Sequence, residues 1–301
     1  MKKFLFFSIA ALMLIAAASC DKNEIYKRKP AGWDGITPMP EAVDLGIVVN
    51  GKTIKWASQN LGAAKFYNYG DWYAWGETIT YYSSLCPVVW GKRNESDESV
   101  MKYNWRSYIY ASGDKNKLTK YCPNNDIDVA YWDMSNAPSG PDGQTVLLPS
   151  DDPVRKRLGE KWRMPTWEEL DALMQTRNNP DYRWTFGVRA KNNGNSIYDG
   201  DGNMYTGVVI TLLSTGASIY LPTAGISGVQ GFSRPKGPLG FFCSTDGFYW
   251  SSTLDTESDD NHQYSPASAR ALHFNQGSDC VGPGWIYRCY GLSIRPVTES
   301  E

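Results

Sequence analysis

A β-leaning, loop-rich fold with few helices is what this sequence predicts, on three observations. Aromatic residues make up 14% of the chain, with 12 Trp and 19 Tyr, and 28 Gly and 17 Pro punctuate it into short stretches,. Two β-branched runs meet at Asn50-Gly51, the strongest short-range hairpin signal. Helix starts are few, and the fullest is Lys161-Trp162-Arg163-Met164-Pro165-Thr166-Trp167-Glu168-Glu169-Leu170. There Pro165 keeps Met164 out of the helical region, and Thr166 with Glu169 three residues on makes a capping box.

The N-terminus comes first. Residues 1–19 read as an export signal, with Lys2 and Lys3 ahead of an apolar run from Phe4 to Ala18 that only Ser8 interrupts. That run is short for a membrane span and suits a signal peptide. Ala18-Ser19 directly before Cys20 resembles a bacterial lipobox, which implies cleavage before Cys20 and lipid on its sulfur and amine. Residues 20–41 are polar and Pro-bearing, and read as a lipidated flexible tether that reaches at most about 70 Å at roughly 3.3 Å per residue,. The expected place is a bacterial cell envelope, lipid-anchored at the outer membrane or cell surface, with the membrane as a partner through that anchor.

Charge and cysteine usage narrow the partners. The formal charge of −2 becomes more negative once Lys2 and Lys3 leave with the signal, which argues against nucleic acid,. Cys86, Cys122, Cys243, Cys280 and Cys289 remain beside Cys20. An odd number leaves at least one thiol unpaired within the chain.

A single domain over residues 42–301 then follows in order. Ala42 to Val49 and Lys52 to Ala57 read as a hairpin,. Asn68 to Thr78 reads as a strand buried on both faces, because Trp72 and Ala74 alternate with Tyr73 and Trp75,. From Ile79 to Ser150 the chain reads as a long loop-like excursion held down by Tyr103, Trp105, Tyr108, Tyr110, Tyr121, Tyr131 and Trp132,. Ser150-Asp151-Asp152-Pro153 starts a short helix with Val154 and Leu158 on one face, ended by Gly159,. The helix after Pro165 carries Trp167, Leu170, Leu173 and Met174 at three- and four-residue spacing, and Asn178-Asn179-Pro180 stops it,. Val208 to Leu213 and Ser218 to Leu221 read as a hairpin, followed by strands at Phe248 to Thr253, Arg270 to Phe274 and Ile286 to Val297. No fixed-period repeat occurs.

Four landmarks stand in order: Val43-Asp44-Leu45-Gly46 through Tyr69-Gly70-Asp71-Trp72-Tyr73-Ala74-Trp75-Gly76-Glu77-Thr78; Trp162-Arg163-Met164-Pro165-Thr166; Tyr249-Trp250-Ser251-Ser252-Thr253; and Ser293-Ile294-Arg295-Pro296-Val297. As a set, over residues 42 to 297, they resemble the Fibrobacter succinogenes major paralogous domain of bacterial surface lipoproteins. That family is similar to C-type-lectin-like domains and, more distantly, to formylglycine-generating enzymes. The resemblance implies an α+β fold with a C-type-lectin-like arrangement of twisted antiparallel sheets and few short helices, and it brings no catalytic residue.

The residues themselves point to binding rather than turnover. Only His262 and His273 are available as bases, and no G-x-S-x-G, H-E-x-x-H, C-x-x-C or P-loop pattern occurs,. No enzyme is expected, and no cofactor other than calcium. The distant enzyme relatives use a cysteine pair for copper, which would fall on Cys280 and Cys289, an unfavoured alternative. Those two flank Gly282-Pro283-Gly284 and read as a disulfide across a hairpin or as free thiols,. Asp199, Asp201 and Asn203 alternate like calcium ligands, but Met204 stands where that loop needs Gly, and a Gly-rich turn is the plainer reading,. Asp255, Glu257, Asp259 and Asp260 form an acidic loop near Tyr264, and Trp285 and Tyr287 follow the Gly-Pro-Gly stretch. Together these form the expected ligand surface, with carboxylates for hydroxyls and rings for sugar faces. The expected function is non-enzymatic binding or adhesion to a glycan or surface protein. The alternative is a structural part of an envelope or pilus-like assembly.

Overall fold

The computed structural model describes residues 32–80, 103–123, 128–198, 204–228, 245–257 and 265–300. Among them, three antiparallel three-stranded sheets, a two-stranded hairpin, two short α-helices and short 3-10 turns make up the regular structure, as an α+β or mostly-β chain should. Strands β1 (Ala42–Val49) and β2 (Lys52–Ala57) pair with β11 (Val297–Glu299), which joins the two ends of the domain in the order β1-β2-β11. Asn50 and Gly51 both take positive φ, 51° and 77°, the geometry a two-residue hairpin turn requires,.

Two helices follow the excursion. Helix α1 (Pro153–Leu158) is capped by the Asp152 carboxylate, which accepts from the backbone N–H groups of Val154 and Arg155. Helix α2 (Trp167–Gln175) begins at the expected capping box, with the Thr166 hydroxyl and the Glu169 carboxylate each accepting from the other's backbone N–H,. A second tie reinforces this start. Arg163 holds Glu169 with both guanidinium ends, at 2.7 and 2.5 Å, and reaches Glu299 in β11 at 2.9 Å.

The second sheet runs β3-β6-β7, from β3 (Tyr182–Arg189), β6 (Thr206–Leu212) and β7 (Ser218–Pro222). Strand β3 and the small hairpin of β4 (Lys191–Asn192) and β5 (Asn195–Ser196) are additions to the sequence reading. Both were signalled, by the alternation of Tyr182, Trp184, Phe186 and Val188 and by Asn193-Gly194 at positive φ,. The third sheet, β10-β9-β8, is built from β8 (Asp246–Leu254), β9 (Ser268–Asn275) and β10 (Cys280–Tyr287). It is the partition of the core. Alternation along β8 and β9 sends Trp250, Ala269 and Ala271 to one side with Tyr73, Trp75, Trp162, Leu292 and Ile294,. Tyr249, Leu272 and Phe274 go to the other, with Leu45, Ile54, Trp56, Leu170, Leu173, Val208 and Ile210.

Three expectations are corrected. Residues 68–78 are buried on both sides but are not a strand, because Gly70 and Gly76 take φ of 76° and 81° and only isolated bridges form, such as Tyr73 to Leu292. The tether does not run to residue 41. Trp33 bridges to Leu158, its indole donates to the Thr37 carbonyl at 2.8 Å, and Thr37 is fully buried. Arg157 joins this strap to the body, donating to Asp34 at 3.2 Å, Thr37 at 2.8 Å and Asp71 at 2.8 Å. Thirdly, Ile286 to Val297 is not one strand, since residues 288–296 turn away between β10 and β11.

The described part of the excursion packs on rings, as expected. Tyr103, Tyr108 and Tyr121 are buried, and the Arg288 guanidinium lies over Trp75 and Tyr108 while donating to the Tyr121 carbonyl at 2.7 Å. Two fully buried arginines, Arg288 and Arg295, thus serve as carbonyl clamps, with Arg295 reaching the carbonyls of Ala57 and Tyr220 at 2.9 and 2.6 Å. Burial without a carboxylate partner pushes the Arg295 guanidinium down to about 10,.

Three of the outer strands, β1, β3 and β10, carry a feature that resists pairing with another chain. Strand β1 bulges after Asp44, where Gly46 sits at φ 70°, and β3 bulges after Thr185, where Gly187 sits at φ 66°. Strand β10 contains Pro283, which has no N–H to offer,.

Candidate ligand cleft beside the second helix

Helix α2 lies with Leu170, Leu173 and Met174 in the core and its opposite face outward. Between that helix and the β1–β2 hairpin runs an open cleft of about 610 Å³. Its floor is Ile47, Val49 and Ala172, its aromatic groups are Trp167 and Tyr182, and its polar groups are Asn50, Glu168, Asp171, Gln175 and Asn179. A second groove of about 450 Å³ lies on the other side of the helix, against Asp279 to Pro283, and shares Asp171 and Gln175 with the first.

The cleft is held open by pinned groups. Tyr182 donates its hydroxyl to the Leu45 carbonyl at 2.7 Å, which ties β3 to β1 across one end. Burial, with the charges of Asp181 and Asp44, raises that hydroxyl's pKa, so it stays a donor at neutral pH,. Trp184 donates to the Thr176 hydroxyl at 2.9 Å, and Thr176 donates to the Leu173 carbonyl at 2.7 Å, which fixes the C-terminal turn of α2. Gln175 donates to Asp171 at 3.3 Å, so the two present a joined carboxylate and amide on one helix face. Rings, carboxylates and amides around an apolar floor are the groups that hold a hydroxyl-bearing ligand with an apolar face.

The expected surface is placed differently. Asp255 is fully buried and faces Arg270 at 3.7 Å, while Glu257 is exposed and accepts from the same guanidinium at 2.6 Å. That guanidinium stacks on the Trp167 ring at 4.9 Å, and Trp285 stands opposite Arg270 in the β9–β10 register. Asp255 and Glu257 therefore flank the guanidinium that lies on Trp167 at the end of the cleft, and Asp255 does not face solvent as a ligand group. Tyr287 remains on the surface, edge-on to Trp105 and Tyr290 at 5.8 Å each, with the Lys115 ammonium 5.9 Å from its ring. Asp259, Asp260 and Tyr264 lie outside the described residues, as do Asp199, Asp201, Asn203, Cys20, Cys86, Cys243 and His262.

The disulfide reading fails on geometry. Gly282-Pro283-Gly284 lies within β10, and the turn of this hairpin is formed by residues 276–279, where Asn275 accepts from the N–H groups of Gly277 and Ser278. Cys280 opens the strand and Cys289 lies in the turn beyond its far end, with about 20 Å of extended strand between them,. Both are free thiols, Cys280 exposed and Cys289 buried, and the same separation excludes them as a joint copper site. Among the described residues no group of three or more His, Cys, Asp or Glu is placed to hold a metal ion. His273 pairs with Asp246 at 2.7 Å and stacks on Phe248 at 4.3 Å, a packed position in the sheet.

Sequence reasoning missed the cleft because its groups come from β1, α2 and β3, and the α2 carboxylates resemble an ordinary solvated helix face. The alternation in β3 was the signal that could have brought Tyr182 beside α2. No family model, characterised protein or solved structure matches this chain.

Proposed function

We propose that the chain is a lipid-anchored envelope protein of the C-type-lectin-like kind, similar to the major paralogous domains, and that it recognises glycans in the cleft beside α2. The observation that carries this reading is the cleft itself, where Trp167 and Tyr182 border an apolar floor set among Glu168, Asp171, Gln175, Asn179 and Asn50. Saccharides present C–H faces to rings and hydroxyls to carboxylates and amides, so both parts of the lining have a partner. An open cleft holds one saccharide weakly. Useful attachment comes from many tethered copies engaging one surface together.

Assembly by strand addition is the weaker reading. The bulges of β1 and β3 and Pro283 of β10 oppose added strands,.

The test is a glycan and matrix-protein binding screen with the protein displayed multivalently, beside Asp171→Ala/Gln175→Ala. Both side chains lie on the outward face of α2, so the fold should survive. Binding by the wild type that falls about tenfold or more in the variant supports the reading. A wild type that binds no glycan, or a variant that binds as well, overturns it.

A further inference from the structure

A second surface carries an unusual run of rings. Tyr220, Phe66, Tyr67, Tyr205, Tyr69 and Trp72 follow one another without a gap, at centroid distances of 5.5, 5.1, 5.3, 4.8 and 6.4 Å. The inner members are buried and pinned. Tyr220 donates to the Val188 carbonyl at 3.0 Å and Trp72 to the Ala224 carbonyl at 3.2 Å. The outer members are not, since Phe66 is 44% exposed and Tyr67 and Tyr205 are half-buried. The turn that presents Phe66 is closed twice, by the Lys65 N–H on the Asn68 side chain at 3.0 Å and the Asn68 N–H on the Lys65 carbonyl at 3.1 Å.

We propose that Phe66, Tyr67 and Tyr205 form a saccharide-stacking platform, separate from the α2 cleft, that takes the apolar face of a polysaccharide chain. Rigidity argues for a contact surface. Rings already immobilised by buried neighbours lose little freedom when a ligand stacks on them. Exposure argues in the same direction, because the outward part of the Phe66 ring is held toward solvent by a closed turn. The occupant follows from the surroundings. An apolar protein partner needs a contiguous apolar patch of several hundred Å², whereas Phe66 is bordered by phenol rings, Lys65 and Asn68. A ligand with C–H faces between hydroxyls matches that mixture, with the phenyl under the C–H face and the phenols and amide near the hydroxyls.

The platform and the cleft are tested apart. The full-length chain, purified in mild detergent, is co-sedimented with insoluble cellulose, xylan, chitin and mannan, alongside Phe66→Ala/Tyr67→Ala, Phe66→Gln alone and the cleft variant Asp171→Ala/Gln175→Ala. The expected result is sedimentation of the wild type with at least one polysaccharide and a loss of about tenfold in both platform variants, whatever the cleft variant does. Phe66→Gln changes only an exposed side chain, so it keeps the test valid if the double variant misfolds. No sedimentation with any of the four, or platform variants that sediment as the wild type does, overturns the platform. Loss in the cleft variant alone also overturns it and leaves the cleft reading standing.

Discussion

Arg270 stands over Trp167, with its guanidinium carbon 4.9 Å from the ring centroid, and the same group faces the fully buried Asp255 at 3.7 Å. One cation thereby links the acidic loop, the third sheet and the first residue of α2. Replacing it removes the guanidinium that faces this buried carboxylate. Arg270→Met should cost about 3–5 kcal/mol, as loss of one partner of a buried pair does. The double variant Arg270→Met/Asp255→Leu should lose less than the single one in urea titration. Equal losses would mean that Asp255 does not depend on Arg270.

Helix α2 should behave as a core element. Leu170 is buried, and Leu170→Ala should cost roughly 2–5 kcal/mol,. Thr166→Ala removes one half of the capping box and should cost about 1 kcal/mol,. A Leu170→Ala loss below about 0.5 kcal/mol, the range of surface sites, would place this helix outside the core.

Acid should destabilise the fold through specific carboxylates. Burial raises Asp151, but hydrogen bonds from Lys120, Tyr121 and Ser150 outweigh it and hold its carboxyl below the ordinary value. Lys52 first, then Arg163, hold Glu299 down in the same way. A depressed folded-state pKa gives stability that is present above the unfolded value and lost as pH falls through the folded one. Asp152 has the opposite sign, since burial raises it above its unfolded value and its contribution is lost as pH rises. Thermal midpoints of the wild type should therefore fall between about pH 5 and pH 2. Asp151→Asn should be less stable at pH 7 and show a shallower acid decline. An unchanged slope would show that Asp151 titrates alike in both states.

The cysteines should differ in reactivity. Burial pushes the Cys289 thiol well up, whereas Cys280 is exposed beside the turn that follows β9,. Under native conditions an alkylating reagent should label Cys280 quickly, and Cys289 only after denaturant is added. Peptide mapping without reductant that finds Cys280 linked to Cys289 would contradict the strand assignment of Gly282 to Gly284.

Local signals were legible where short-range chemistry decides structure. Asn50-Gly51, the Asp152 cap and the Thr166/Glu169 box each specify their element within about four residues, and all three formed as read. Gly282-Pro283-Gly284 misled because Pro and Gly ordinarily mark turns, while an outermost strand tolerates both,. The buried strand read over residues 68–78 had the right burial and the wrong backbone, because alternating rings report two packed faces and not a hydrogen-bonded ladder. The site was least legible of all. A cleft lined from β1, α2 and β3 depends on how distant segments pack, and Asp255 is turned inward toward Arg270, a partner that sequence spacing does not announce.

The strap at Trp33 to Thr37 sets how a pull on the N-terminus enters the domain. If lipid holds Cys20, only residues 21–31 lie between anchor and fold, a reach of at most about 36 Å,. Tension along that segment arrives at Trp33, bridged to Leu158, and at Asp34, whose N–H donates to the Arg157 carbonyl at 3.1 Å and whose carboxylate meets the Arg157 side chain. Arg157 in turn grips the buried Asp71. Such a load would be carried into the first helix and the aromatic core, so β1 and the cleft it borders would keep their shape until the strap gave way.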